Sequence, residues 1–218
     1  MPIRILLADD HAIVRHGLSK SIQNEEATEV VGLASDGLTA IKLVDELRPD
    51  VVIMDIGMSE LNGIEATREI MHRRPDAKVI GLSMHSAKKF VSEMFRAGAK
   101  GYLLKDCEFD ELAEAIRTVA SGKNYLSPHI TGVVIDSFIK ATPGQEDLSA
   151  FSRLTRRERQ VLQLMAEGRT TKQIGLSLHI SPKTVEAHRL RVMDKLEIDN
   201  VAQLTKYAIQ EGLTALEP

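Results

Sequence analysis

One cysteine, Cys107, stands in 218 residues, which excludes an internal disulfide and agrees with a reducing compartment. A lone thiol is more often inert than reactive, so no chemistry is assigned to it. No uninterrupted apolar run approaches the roughly 18 residues that span a bilayer. The N-terminus MPIRILLADD also lacks a signal-peptide design, because its short apolar run ends in two acids instead of a small-residue cleavage site. A cytosolic protein is expected. Soft-metal ligand spacing is missing too, and neither His11 nor His85 is assigned to a metal. What remains, at 43% hydrophobic, is enough for one or two ordinary soluble domains with real cores.

The formal net charge is only −3, yet it joins two unlike parts. Residues 1–121 carry 15 Lys and Arg against 20 Asp and Glu, whereas residues 151–218 carry 11 against 8. Within 153–195 the count is 10 basic against 4 acidic. An acidic module precedes a basic one, and a basic face suits nucleic acid as well as plain solvation.

Two rhythms follow the same division. IRILLA, EVVGLA, VVIM, KVIGLS and GYLLK each precede an amphipathic helical pattern. Strands alternating with helices predict a parallel sheet covered on both faces. Turns fall at Arg48-Pro49-Asp50, Arg74-Pro75-Asp76 and Gly98 to Gly101. After Ser121 one more short helix is expected from Ser127-Pro128-His129 to about Lys140, then a flexible tether over 141–147. From Phe151 onward the pattern is helical, opened by a Thr155/Glu158 capping box and closed first at Gly168. A second short helix, TKQIGLSL, precedes Ser181, which with Pro182 caps a third, KTVEAHRLRVMDKL, and VAQLTKYAIQEG supplies the fourth.

In a doubly wound sheet, ligand chemistry collects outside the carboxyl ends of the strands. Those ends carry Asp9 and Asp10, Asp55, Ser83 and Lys105. Asp55 closes the apolar run VVIM, where an acid without a partner is costly. Three carboxylates at one edge repel one another unless a cation joins them, and a small hard divalent ion such as Mg²⁺ fits oxygen ligands. Any one of these acids alone would be read as a helix cap; all five groups together point to a site.

The acidic pair, a central Asp followed by xxMxxxxG, a Ser and a Lys together resemble the receiver domain of two-component response regulators. LTRRERQVLQLMAEGRTTKQIGLSLHISPKTVEAHRLRVMDKL resembles the LuxR-type helix-turn-helix, and the two in this order are similar to the NarL/FixJ group. The resemblance implies a flavodoxin-like α/β receiver with a five-stranded parallel sheet at 1–121, a linker with one short helix at 122–150, and an all-α, four-helix DNA-binding domain at 151–218. It implies that a sensor histidine kinase phosphorylates Asp55. Mg²⁺ would be held by Asp10, Asp55 and the Gly57 carbonyl, with Asp9 acting through water. Ser83 would hydrogen-bond the phosphoryl group, Lys105 would neutralise it, and Tyr102 would swing inward as Ser83 moves, the alternative being a buried structural tyrosine. The implied partners are operator DNA, RNA polymerase and, on phosphorylation, a second copy of the chain. The implied setting is the bacterial cytoplasm, without membrane contact, and the only implied catalysis is the receiver's own phosphoryl transfer and autodephosphorylation. Two positions depart from the family pattern: Ser59 where Pro is usual, expected to loosen the loop presenting Gly57, and Met84 where a small residue is usual, expected to narrow access to Asp55.

Helical geometry separates the faces of the third C-terminal helix. Val185, Val192 and Leu196 share one face and are expected to pack inward. Lys183, Glu186, Ala187 and Leu190 form the opposite stripe, the one available to a major groove. Glu186 suits a cytosine amino group, and Ala187 and Leu190 suit thymine methyls; for Leu190 the alternative is a protein contact. Lys172, Thr184, His188, Arg191 and Lys195 are placed for phosphates, with Arg189 at the boundary between faces. Two other readings remain: a phosphoryl-transfer enzyme, which lacks a catalytic base near Asp55, and a regulator working without phosphate, which would not need Asp9, Asp10 and Lys105. In the last helix, Val201, Leu204, Ala208 and Leu213 suit either a second subunit or the domain's own core.

Overall fold

The structure is a computed structural model that describes residues 1–84, 86–132, 134 and 150–214. The chain divides into two compact units between Lys140 and Ala141. No helix among the described residues is long and apolar enough to cross a membrane.

The first unit alternates strand and helix as its patterning requires: β1 Ile3–Ala8, α1 Ala12–Gln23, β2 Thr28–Ala34, α2 Gly37–Leu47, β3 Val51–Asp55, α3 Gly63–Arg73, β4 Val79–Ser83, α4 Lys88–Arg96, β5 Gly101–Leu104 and α5 Phe109–Ala120. All pairings are parallel. The sheet order is β2-β1-β3-β4-β5-β6, so the predicted five strands gain a sixth, β6 Tyr125–Leu126. This pair of residues is too short to carry a period of its own, and it is recruited by pairing with Gly101 and Tyr102 of β5. Residues 128–132 are helical, and Ile130 packs fully buried in the same core as Tyr102. The first unit therefore continues past Ser121. The remainder of the short helix expected to Lys140, residue 134 apart, and the tether at 141–147 lie outside the described residues.

Alternation along the strands produces two cores, since successive side chains leave a strand on opposite faces. Leu6, Ala8, Val52 and Met54 pack with residues of α2, α3 and α4. Ile5, Leu7, Val51 and Ile53 pack with Ile22 of α1 and with Leu112, Ala115, Ile116 and Val119 of α5. Because β3 is central and wholly buried, Asp55 reaches the sheet edge from inside the fold. Gly63 begins α3 so close beneath it that a Cβ would lie 2.0 Å from the Asp55 carbonyl oxygen, and only glycine permits that approach.

The second unit is helical: a 3₁₀ turn at Ala150–Arg153, then α6 Arg156–Ala166, α7 Thr171–Ser177, α8 Pro182–Leu196 and α9 Val201–Gln210. The capping box of Thr155 and Glu158 is present, and Thr170 with Gln173 forms another at the start of α7. Gly175 lets α7 meet the turn into α8, since a Cβ there would lie 2.9 Å from the Ile180 carbonyl. Val185, Val192 and Leu196 are buried, as their spacing predicts. Leu204, Ala208 and Leu213 also join the domain's own core, leaving Val201, 42% exposed, as the exception in that series.

Candidate functional site

The strand ends assemble the acidic edge. Asp9 and Asp55 are buried and share one ammonium, with Lys105 Nζ 2.8 Å from Asp9 Oδ2 and 2.8 Å from Asp55 Oδ2. Asp55 Oδ1 accepts from the Gly57 N–H at 3.1 Å. Ser83 is buried at the end of β4, where its carbonyl accepts from the Lys105 N–H at 2.8 Å. Burial raises the Asp55 pKa, and Asp9 adds to this, while Lys105 and the Gly57 N–H oppose it. For Lys105 burial acts downward, but Asp55 and Asp9 together outweigh it and raise the ammonium's pKa. The pocket thus keeps its cation firmly protonated, between two carboxylates.

One ammonium does not neutralise three acids. Asp9 Oδ2 and Asp55 Oδ2 are buried against that single ammonium, and Asp10 Oδ1 is buried against the His11 ring. One atom from each of Asp9, Asp10, His11 and Asp55 lies within 4.8 Å of the others. The three carboxylates of this group fit a divalent cation in both charge and oxygen donors. His11 is the member that sequence reasoning set aside: its Nδ1 is 2.9 Å from Asp10 Oδ1, and its N–H donates to Asp9 Oδ1 at 2.8 Å. Only its place directly after the acidic pair hinted at this. His85 lies outside the described residues.

Three expectations about this edge change. Ser59 ties the loop down instead of loosening it, because its N–H donates to Asp10 Oδ2 at 3.0 Å, a bond a proline has no hydrogen to make. Met84 is 72% exposed, so its side chain turns outward and does not fill the pocket. Tyr102 is already fully buried, with its hydroxyl hydrogen-bonded to Ser83, so the inward position needs no prior movement of Ser83. Burial pushes its pKa up to about 12, which keeps the hydroxyl neutral.

On α8, Lys183, Leu190 and Arg191 are exposed, Glu186, Ala187, His188 and Arg189 are half-buried, and Lys172 is exposed on α7. Thr184 is exposed but uses its N–H in the Ser181 cap. His188 is less suited to phosphate than its position suggests: Nδ1 is buried with no partner among the described residues, and burial, Arg191 and Arg157 all lower its pKa toward the neutral ring. Lys195 differs most. Its ammonium donates to Glu158 Oε2 at 2.7 Å and to the Arg153 carbonyl at 3.1 Å, so a phosphate has to displace a nearly buried carboxylate. Burial acts upward on the Glu158 pKa, but the Lys195 and Thr155 hydrogen bonds prevail and lower it. Lys195→Ala is therefore expected to lower unfolding stability by about 1.5–3 kcal/mol, the range for a charged hydrogen bond. Because a depressed carboxylate pKa stabilises only above the carboxylate range, that difference shrinks on acidification through it. Urea unfolding at neutral and acidic pH checks both statements.

A family model for the response regulator receiver domain matches residues 5–117, and one for bacterial regulatory proteins of the luxR family matches residues 152–208. The chain belongs to the response regulators. DegU of Brevibacillus brevis, a transcriptional regulatory protein, is 37% identical to this response regulator over 96% of the chain and 94% of its own length. The oxygen regulatory protein NreC of Staphylococcus carnosus is 38% identical over 97% and 99%. The structure of RcsB from Salmonella enterica serovar Typhimurium, bound to promoter DNA in the presence of a phosphomimetic fluoride, is similar with TM-score 0.60, 26% identity and coverage of 95% and 98%. This response regulator thus joins a receiver to a LuxR-type DNA-binding domain in a family of transcription regulators, not of metabolic enzymes.

Proposed function

We propose that Asp55 is the phosphoacceptor of a receiver whose state controls operator binding by residues 151–218. The supporting observation is the Asp55 carboxylate itself, buried at the end of the central strand between the Gly57 N–H and the Lys105 ammonium. An ionised Asp55 oxygen attacks the phosphorus of a kinase phosphohistidine whose other ring nitrogen carries a proton, the P–N bond breaks, and the histidine leaves as a neutral imidazole that keeps that proton. Mg²⁺, held by Asp10, Asp55 and the Gly57 carbonyl with Asp9 through water, would supply charge neutralisation to the phosphoryl oxygens. Lys105 offers a second positive charge, and Ser83 a hydroxyl, to the same oxygens. The same pocket would later admit water for the receiver's own dephosphorylation. Sensor histidine kinase, operator DNA, RNA polymerase and a second phosphorylated copy are the proposed partners, in the cytoplasm of a bacterium. The proposed division is a receiver over 1–121, extended by β6 and the helical residues 128–132 that follow it, then a linker to residue 150 and a DNA-binding domain at 151–218.

On the DNA side, Lys183, Glu186, Ala187 and Leu190 would face the major groove, and Lys172, Thr184, His188, Arg189 and Arg191 would line its rim; Lys195 would reach a phosphate only by leaving Glu158. Leu190, 65% exposed, is an apolar side chain whose burial against a thymine methyl would account for its place. Glu186→Ala and Leu190→Ala are each expected to cost about 1–3 kcal/mol of discrimination at one base pair. Selection of operator sequences from a random library, repeated with each variant, measures this. An unchanged preference for both would remove this stripe from the groove.

A further inference from the structure

Glu186 presents a problem for a DNA-facing helix, since a carboxylate there is repelled by the phosphates of a bound duplex. Its charge is not left loose. Oε1 accepts from Thr171 Oγ1 at 2.7 Å, and Oε2 lies 3.8 Å from an Arg189 guanidinium nitrogen. Thr171 is the first residue of α7, fifteen positions away in sequence. Thr171 and Arg189 also line one small cleft of about 90 Å³, together with Ile174 and Val185.

We infer that Thr171, outside the groove-facing stripe, is a positioning residue for sequence readout: its hydroxyl pins one oxygen of Glu186 so that the other is offered to a base edge. A surface glutamate with 46% of its side chain exposed otherwise samples several rotamers, and holding one of them removes that freedom before DNA arrives. The hydroxyl has a single proton, and the 2.7 Å contact commits it to Glu186. The remaining oxygen accepts from the amino group of a cytosine, the base whose major-groove edge carries a donor and no competing acceptor. Arg189, beside that oxygen, offsets the phosphate repulsion. The first helix of the helix-turn-helix thereby sets the geometry of the second, through a tertiary hydrogen bond and not through a DNA contact of its own.

This inference rests on the groove-facing reading of α8, and the test separates the two. The full chain, held with Mg²⁺ and beryllium fluoride, is used to select an operator, and single-base-pair variants of that operator then compete for Thr171→Val, Thr171→Ser and Glu186→Gln. Thr171→Val is expected to flatten the preference for a C·G pair at one position by about tenfold, the scale of one specific contact. Its melting temperature and its affinity for random duplex should match the parent. Thr171→Ser, which keeps the hydroxyl, should retain the preference, and Glu186→Gln should flatten the same position. If Glu186→Gln flattens it and Thr171→Val does not, the positioning role is overturned while the readout stands. If neither changes it, the readout falls as well. A Thr171→Val that melts earlier and weakens all sequences alike, or a Thr171→Ser that behaves like it, also overturns the inference.

Discussion

Asp55→Asn is expected to abolish labelling by radioactive acetyl phosphate and Mg²⁺ while making the folded receiver more stable at neutral pH. The two effects share a cause. Burial raises the Asp55 pKa, Asp9 raises it further, and Lys105 only partly compensates. A carboxylate whose folded pKa lies above its unfolded value binds its proton more tightly in the folded state, so ionised Asp55 costs stability above the carboxylate range. That cost vanishes as pH falls and the acid is protonated in both states. An amide of the same shape removes the cost together with the nucleophile. Thermal unfolding of both proteins, from neutral pH down through the carboxylate range, should show the variant melting higher at the neutral end and the curves converging in acid. Labelling of Asp55→Asn above background would refute the acceptor assignment, and lower neutral stability would refute the electrostatic account. EDTA should stop labelling of the parent.

Occupying the acceptor site of the full chain with beryllium fluoride and Mg²⁺ should raise operator affinity by about 5- to 150-fold, the usual span of coupling between two sites. A phosphoryl group brings negative charge and three acceptor oxygens to a pocket where Ser83 and Lys105 are already in place. Ser83 hydrogen-bonds Tyr102, which packs in one core with Leu104, Leu126 and Ile130, so a change at Ser83 is felt in the packing of β5 and β6. Two-fold operators are read by dimers at half-sites about one helical turn apart, and a shift in receiver association therefore becomes a shift in DNA affinity. Sedimentation should show monomers becoming dimers under the same conditions. Equal affinity with and without the fluoride, at unchanged mass, would remove the coupling and leave both domains as described.

Much of this protein is written in its order of residues. The five βα alternations, the capping box at Thr155, the inward face of Val185, Val192 and Leu196, and the strand-end positions of Asp9, Asp55, Ser83 and Lys105 are all local periodicities or neighbours in the chain. Periodicity reports which face of an element is apolar, and strand ends report which edge they reach. Contacts between distant residues carry no such local trace. The chain alone does not show that Tyr125 and Leu126 extend the sheet, that Ser59 reaches Asp10, or that Tyr102 already hydrogen-bonds Ser83. Nor does it show that Glu158 takes the ammonium of Lys195, or that Thr171 takes a carboxylate oxygen of Glu186. Each of these depends on two polar groups meeting at hydrogen-bond distance after the cores have closed. Hydrophobic pattern decides which faces close, while the length and rotamer of a single side chain decide which polar atoms then meet.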